Sequence, residues 1–245
     1  MELPLRFHWS PYPDENSGDA TAFIDFCRQA EGSGVESVYV HEMALASAAG
    51  METSVIKFRI GIGCGVDGMA PAEWAREVVK ARAILGTRLL IHLRLDSAES
   101  VAWAGEFLDR LVESERPEIH VEGETAQAAF LAIQRADCLW RLPGRPEQVY
   151  ADALPVLHFG KEVGLVSSII ARATRQEALE AAAALHTEST AMIGSFEEVA
   201  EAVHGFKRKS ISQFLFHGWP DRQELLYFGS GVLPLVRALE GGRGN

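Results

Sequence analysis

The sequence has only three cysteines in 245 residues, Cys27, Cys64 and Cys138. They are widely spaced and odd in number, which argues against a disulfide framework. No apolar run approaches the ~18–20 residues that a membrane-crossing helix needs. The opening MELPLRFHWSPYPDE shows neither the basic start nor the apolar stretch of a signal peptide. Basic residues are scarce: 23 Lys and Arg face 34 Asp and Glu, a formal charge of −11. No basic stripe or arm is left for nucleic acid or an anionic membrane. The one basic cluster, Lys207-Arg208-Lys209, reads as a solvated turn. Neither HExxH nor HxH occurs, so no spacing marks a metal site, and none is assigned. GIGCGVDG aligns loosely with a dinucleotide-binding turn, but it does not open a helix, and Pro71 delays the next one. These absences lead us to expect a soluble, reduced, cytoplasmic protein.

What is present is an alternation. Hydrophobic residues make up 47% of the chain, ample for one sizeable core. LRFHW reads as a strand, and DATAFIDFCRQAEGSG as a helix with Asp19 at its N-cap and glycines at its end. ESVYVH and IKFRIGIGCG are further strands, and Pro71 opens the helix PAEWAREVVKARAIL, where proline is tolerated. RLLIHLRL with AESVAWAGEFLDRLV, and EIHVE with AQAAFLAIQ, make two more units. ADCLWRL is followed by PEQVYADALPVLHFGKEV, and GLVSSIIAR by TRQEALEAAAAL. An extra helix, SFEEVAEAVHGF, precedes ISQFLFH and DRQELLYFGSGVLPLVRAL. Eight strand–helix units of about 30 residues fit a closed parallel (β/α)8 barrel. The rival, a doubly wound open sheet, needs fewer strands and shows a glycine-rich first turn, where this chain has HWSPYPDENSG. The expectation is one domain over residues 1–240 and a disordered tail over 241–245.

In such a barrel, chemistry sits at the C-terminal strand ends. The polar residues there are His8, His41, His92, Arg94, His120, Glu122, Ser168 and His217, with Cys64 ending the third strand. Arg94 and Glu122 each follow a histidine by two residues and so share its strand face. A lone histidine in such a place is more often a hydrogen-bonded rim residue than a catalyst, and Cys64 among glycines reads equally as packing. Arg94 with the histidines also suits a cationic pocket for a carboxylate, sulfonate or phosphate.

The order of motifs resembles the luciferase-like flavin-dependent monooxygenases, most closely their alkanesulfonate branch. The likeness is carried by MIGSFEEVAEAV with ISQFLFHGWPDRQELLYFGSGVLPLV, by RFHWS ahead of FIDFCRQAEGSGVESVYV, by RPEIHVEGETAQAAFLAIQRADCLWRL and by IARATRQEALEAAAAL. It implies a (β/α)8 barrel that commonly forms dimers and oxidises a small acidic or polar substrate with O2 and reduced FMN from a separate reductase. It implies His92, Arg94 and His217 as acid/base or anion-orienting groups. Trp9, Gly123, Thr125 and Trp219 would lie at the cofactor, and His8, His41, Cys64, His120, Glu122 and Ser168 in the substrate pocket. The departures bear on function. The family's long insertion after the fourth strand is missing, its asparagine on that strand corresponds to His92, and its arginine and histidine on the seventh correspond to Val166 and Ser168. Its tyrosine after the eighth corresponds to Trp219, with Pro220 preserved.

The stretch Glu118–Thr125, EIHVEGET, stands where the family holds the flavin phosphate on a GGSS turn, and only Gly123 and Thr125 match well. A carboxylate ~4–5 Å from a phosphate costs about 3–4 kcal/mol at an effective dielectric near 20. Glu124 reads most simply as the acidic complement of the following helix N-terminus. Two functions therefore stand side by side. One is a compact FMN-dependent monooxygenase. The other is a family member without flavin, either a partner subunit in a dimer with a paralogous oxygenase or a barrel turned to flavin-free, metal-dependent chemistry.

Overall fold

The computed structural model describes residues 3–11, 19–64, 68–111, 116–185, 191–218 and 221–241. Strands and helices alternate along them. β1 (Arg6–Trp9), α1 (Ala20–Gly32), β2 (Ser37–Val40), α2 (Met43–Glu52), β3 (Lys57–Gly63) and α3 (Pro71–Leu85) come first. β4 (Leu89–Arg94), α4 (Ala98–Arg110), β5 (Glu118–Glu122), α5 (Ala126–Arg135), β6 (Cys138–Arg141) and α6 (Pro146–His158) follow. β7 (Glu162–Arg172), α7 (Arg175–Ala184), β8 (Met192–Ser195), α8 (Phe196–Lys207) and β9 (Gln213–His217) lead to the closing helices α9 (Asp221–Tyr227) and α10 (Leu233–Gly241). Every strand pairing is parallel, and β1-β2-β3-β4-β5-β6-β7-β9 close into a ring through β9–β1. The fold is the (β/α)8 barrel. Among the described residues, no helix is long and apolar enough to cross a membrane.

Local chemistry sets the helix starts. Asp19, Ser97, Thr125, Thr174 and Ser195 each accept a first-turn backbone N–H of the helix they precede, which satisfies donors that a helix leaves open. The core between sheet and helices is aromatic: Phe7, Phe214, Phe216 and Phe228 contact one another at centroid distances of 5.2 to 6.2 Å.

The structure departs from the sequence reading in four places. Met43–Glu52 is a helix that the reading passes over, since MALASAAGME is small and apolar throughout and offers no polar face to set a 3.6-residue period. α6 ends at His158, and the chain turns through Gly160 at φ 72° so that β7 starts at Glu162, inside the span expected to be helical. β7 is 11 residues long because it changes partners: Gly164–Ser168 pairs with β9, and Ile169–Arg172 with the extra strand β8. The last helix is interrupted by a π-turn at Phe228–Val232, where Gly229 and Gly231 admit close approach of Ser33 and Phe196. The expected tail beyond Gly241 lies outside the described residues.

Candidate functional site

Alternation along the strands turns one set of side chains into the barrel, and this chain fills that lumen with polar and aromatic groups. Arg6 sits at the base. It makes bonds of 2.8 Å to both oxygens of Glu36 and to Glu118, while Lys57 reaches Glu36 at 2.6 Å.

Above this base lie three histidines whose protons are fixed by their partners. Trp140 Nε1, which can only donate, gives its hydrogen to His120 Nδ1 at 2.9 Å, so Nε2–H of His120 donates to Glu118 at 2.8 Å. Arg59 Nη1 donates to His92 Nδ1 at 3.2 Å, so Nε2–H of His92 donates to Glu122 at 2.8 Å. His8 Nε2–H donates to Gln213 Oε1 at 3.0 Å, because the Gln213 amide nitrogen is held by Glu162 at 2.6 Å. His8 Nδ1 then accepts from the Ser37 hydroxyl at 2.8 Å. All three rings are neutral Nε2–H tautomers with no exposure to solvent. Burial drives His8 and His120 well below the usual histidine range, and His92 below it despite the Glu122 bond.

Glu122 joins this interior to the mouth. Burial raises its carboxyl, but the His92 bond and the charges of Arg94 and Arg59 prevail and lower it. Arg94 faces it from the neighbouring register position and is half-exposed, bonded to Asp96 at 3.3 Å. Across the barrel, Ser168 Oγ lies 2.7 Å from His217 Nε2. Exposed His41 sits on the rim, and Tyr39 stands edge-on between it and His92, with centroids 5.1 and 5.4 Å away. Tyr39 lies across Gly61, where a Cβ would come within 1.9 Å of its hydroxyl. Gly61→Ala should therefore expel the tyrosine ring and destabilise the fold by about 1–3 kcal/mol. Urea unfolding checks this, and wild-type stability in that variant would show that Tyr39 is not held there.

The turn after β5 is built around Gly123, where a Cβ would stand 2.8 Å from both Ala128 Cβ and the Leu95 carbonyl, leaving room for glycine alone. Thr125 caps α5. Glu124, directly before the Thr125 cap, makes no hydrogen bond to the first amides of α5 among the described residues. It accepts from Leu142 N at 3.0 Å and pairs with Arg141 at 3.4 Å. Arg141 is buried, bonds the Gly123 carbonyl at 2.8 Å, and keeps an Nε with no hydrogen-bond partner among the described residues.

The expected set is thus divided. Arg94, Glu122, Ser168, His217 and His41 gather at the mouth, and Gly123 and Thr125 form the turn beside it. His92 stands directly beneath Glu122. His8 and His120 do not line a pocket; they are buried and bonded below the mouth. Trp9 faces the other way, because β1 alternates: His8 points into the barrel, and Trp9 packs against Phe228 in the core. Cys64 likewise belongs to that core, its thiol 3.7 Å from the Ile62 carbonyl. Trp219 lies outside the described residues. Sequence reasoning missed Arg59, Tyr39, Trp140 and Arg141. Arg59, Tyr39 and Trp140 sit at in-facing positions of otherwise apolar strands, a signal that period-two counting within each strand would have exposed. Among the described residues, no cluster of three or more His, Cys, Asp or Glu side chains is placed to hold a metal ion.

No protein-family model matches the sequence, and no curated protein matches it. Solved structures do. A riboflavin lyase, RcaE, with modified FMN and riboflavin superposes with a TM-score of 0.81 at 10% identity, over 97% of this chain and 92% of that one. The long-chain alkane monooxygenase LadA gives 0.79 at 10% identity, over 100% and 94%. A coenzyme F420-dependent tetrahydromethanopterin reductase from Methanopyrus kandleri gives 0.75 at 11% identity, over 94% and 99%. These likenesses establish the barrel fold. The structural neighbours thus include a riboflavin lyase, an alkane monooxygenase and an F420-dependent reductase.

Proposed function

We propose that this barrel is a flavin-dependent oxidoreductase of the monooxygenase type, acting at its C-terminal mouth on a small acidic or polar molecule. The observation that carries the reading is the pairing of Arg141 with Glu124 beside the α5 N-terminus. In sequence, two glutamates oppose a phosphate at this turn. In the structure, Glu122 is committed to His92 and Glu124 to Arg141, so the turn is not a bare acidic patch. Arg141, with an unpartnered Nε, the Thr125 hydroxyl and the first amides of α5 are the groups that would hold the FMN phosphate. Bound and reduced, a flavin supplies the electron pair and the reaction with O2.

The chain's own residues do the rest. Arg94, half-exposed at the rim, draws in and orients an anionic substrate. Glu122 Oε2 receives a proton from the mouth while the hydrogen bond from His92 Nε2 steadies the carboxylate. Ser168 and His217 form a second hydroxyl–imidazole pair that exchanges a proton across the opening.

Titration with FMN, oxidised and reduced, tests the reading by absorbance and fluorescence. Saturable binding is expected in at least one redox state. Glu124→Gln releases Arg141 and should tighten binding about 10-fold, whereas Arg141→Met should weaken it about 10- to 100-fold. Absence of binding in both states at saturating flavin would end this reading and leave the flavin-free alternative.

A further inference from the structure

The most anomalous group in the molecule lies below the proposed cofactor and substrate sites. Arg59 is fully buried at the centre of the barrel. Its guanidinium makes one hydrogen bond, to His92 Nδ1 at 3.2 Å, and stacks over the Trp140 ring with Cζ 4.4 Å from the centroid. Nε and Nη2 have no hydrogen-bond partner among the described residues. Buried donors without partners are rare, and on a buried cation they are costlier still. Burial lowers Arg59 only to about 10, so it remains charged at neutral pH.

Glu118 and Glu122 lie close enough to feel that charge, but neither hydrogen-bonds to the guanidinium. Glu118 is bonded to Arg6 and His120 at 2.8 Å each, with Lys57 at 3.7 Å, and Glu122 is bonded to His92 at 2.8 Å. The three lumen histidines are neutral, and burial holds the Cys138 thiol in its protonated form. The two open N–H groups call for an acceptor, and an anion gains a charge-assisted bond there where a water does not. Aromatic rings flank the guanidinium, with Trp140 in stacking contact and Tyr39 between His92 and the rim. Two open donors on one cation beside aromatic walls suit a compact ion of single negative charge.

We infer that the barrel lumen is an anion site in which Nε and Nη2 of Arg59 bind one small monovalent anion of the size of chloride or formate. The site is separate from the phosphate turn and does not depend on flavin. Tyr39, lying across Gly61, closes it from the mouth.

Thermal unfolding in sodium chloride, sodium formate or sodium gluconate at equal ionic strength tests this, gluconate being too large to enter. Chloride or formate at ~100-fold its dissociation constant should raise Tm by roughly 5–10 °C relative to gluconate, and the rise should saturate. Arg59→Met should unfold at one temperature in all three salts. A second measurement needs no change at Arg59. Iodide seated beside Trp140 should quench fluorescence with a saturable component, and Trp140→Phe should remove that component. Equal Tm in chloride and gluconate together with strictly linear iodide quenching would overturn the inference and assign the two nitrogens to water. A chloride effect that persists unchanged in Arg59→Met would overturn it as well, by placing the anion elsewhere.

Discussion

Lowering the pH from 7 to 5 should strip this protein of most of its stability, more steeply than a typical acidic protein of its size. His8, His92 and His120 are fully buried and neutral, each with both ring nitrogens engaged. Burial lowers all three below the usual value of 6.5. The sign follows from proton counting. Between 6.5 and the lowered folded values, the unfolded chain binds protons that the folded chain refuses, so stability is full above 6.5 and falls as pH drops. Each histidine contributes about 1.4 kcal/mol per pH unit in that window, and the three together about 4. The window closes first for His92, whose shift is the smallest in direction and cause because Glu122 holds its Nε2–H. Below 4.5, the lowered carboxyls of Glu36 and Glu122 add to the loss, whereas Glu224, raised by burial, opposes it only above 4.5, up to its raised folded value. Against a usual total of roughly 5–15 kcal/mol, such a slope unfolds the barrel within about two pH units. Urea midpoints at pH 7.5, 6.5 and 5.5 measure it, and His120→Leu should reduce the slope by about a third. A stability that stays flat from pH 7 to 5.5 would show that these rings are not the neutral, buried groups described.

Much of the fold can be read from residues alone because the barrel repeats one local instruction. Apolar strands of four to seven residues, polar caps such as Asp19 and Thr125, and Pro71 at a helix start each act over a few positions. What escaped the sequence depends on partners far along the chain. The length of β7 is set by β8 and β9, which hold its two halves, and MALASAAGME is helical because its small side chains let α2 pack against α1, α3 and the strands beside it. Propensity carries no trace of the first, and although Ala, Leu and Met favour the second, no amphipathic period marks it.

The site was legible in part for the same reason. Strand ends bring Arg94, Glu122, Ser168 and His217 to one rim once eight parallel strands are granted. Which residues lie above the lumen seal and which lie below it is a matter of depth, and depth follows from the stagger between strands. His8 and His120 look like rim residues in sequence, yet register pairs His8 with Ser37 and Leu215, and His120 with Cys138, inside the barrel. Arg141 was invisible as the partner of Glu124 because the 16 intervening positions fold into α5 and most of β6 before the two meet.

The second large effect is expected at the buried ion pair that ties α9 to β7. Arg172 donates to both oxygens of Glu224, at 2.9 and 2.5 Å, and stacks over Tyr227 with its Cζ 4.4 Å from the ring centroid. Glu224 is almost wholly enclosed, with 1% of its side chain exposed against 13% for Arg172. Burial pushes the Glu224 carboxyl up, and the bonds from Arg172 only partly pull it back. Removing the arginine leaves that burial unopposed. Arg172→Met should therefore cost about 3–5 kcal/mol at pH 8.5, measured by urea unfolding. The deficit should shrink as pH is lowered to 6.5, because a carboxyl raised in the folded state favours folding when it carries its proton and loses that advantage as pH rises. The direction is opposite to that of the histidines, so the two effects separate in a single pH series. Glu224→Met added to Arg172→Met should restore most of the loss, since two apolar side chains of similar volume need no counter-charge. A cost below about 1 kcal/mol for the single variant, or a double variant no better than the single, would mean that apolar packing of Leu225 and Phe228, and not this pair, seats the closing helix.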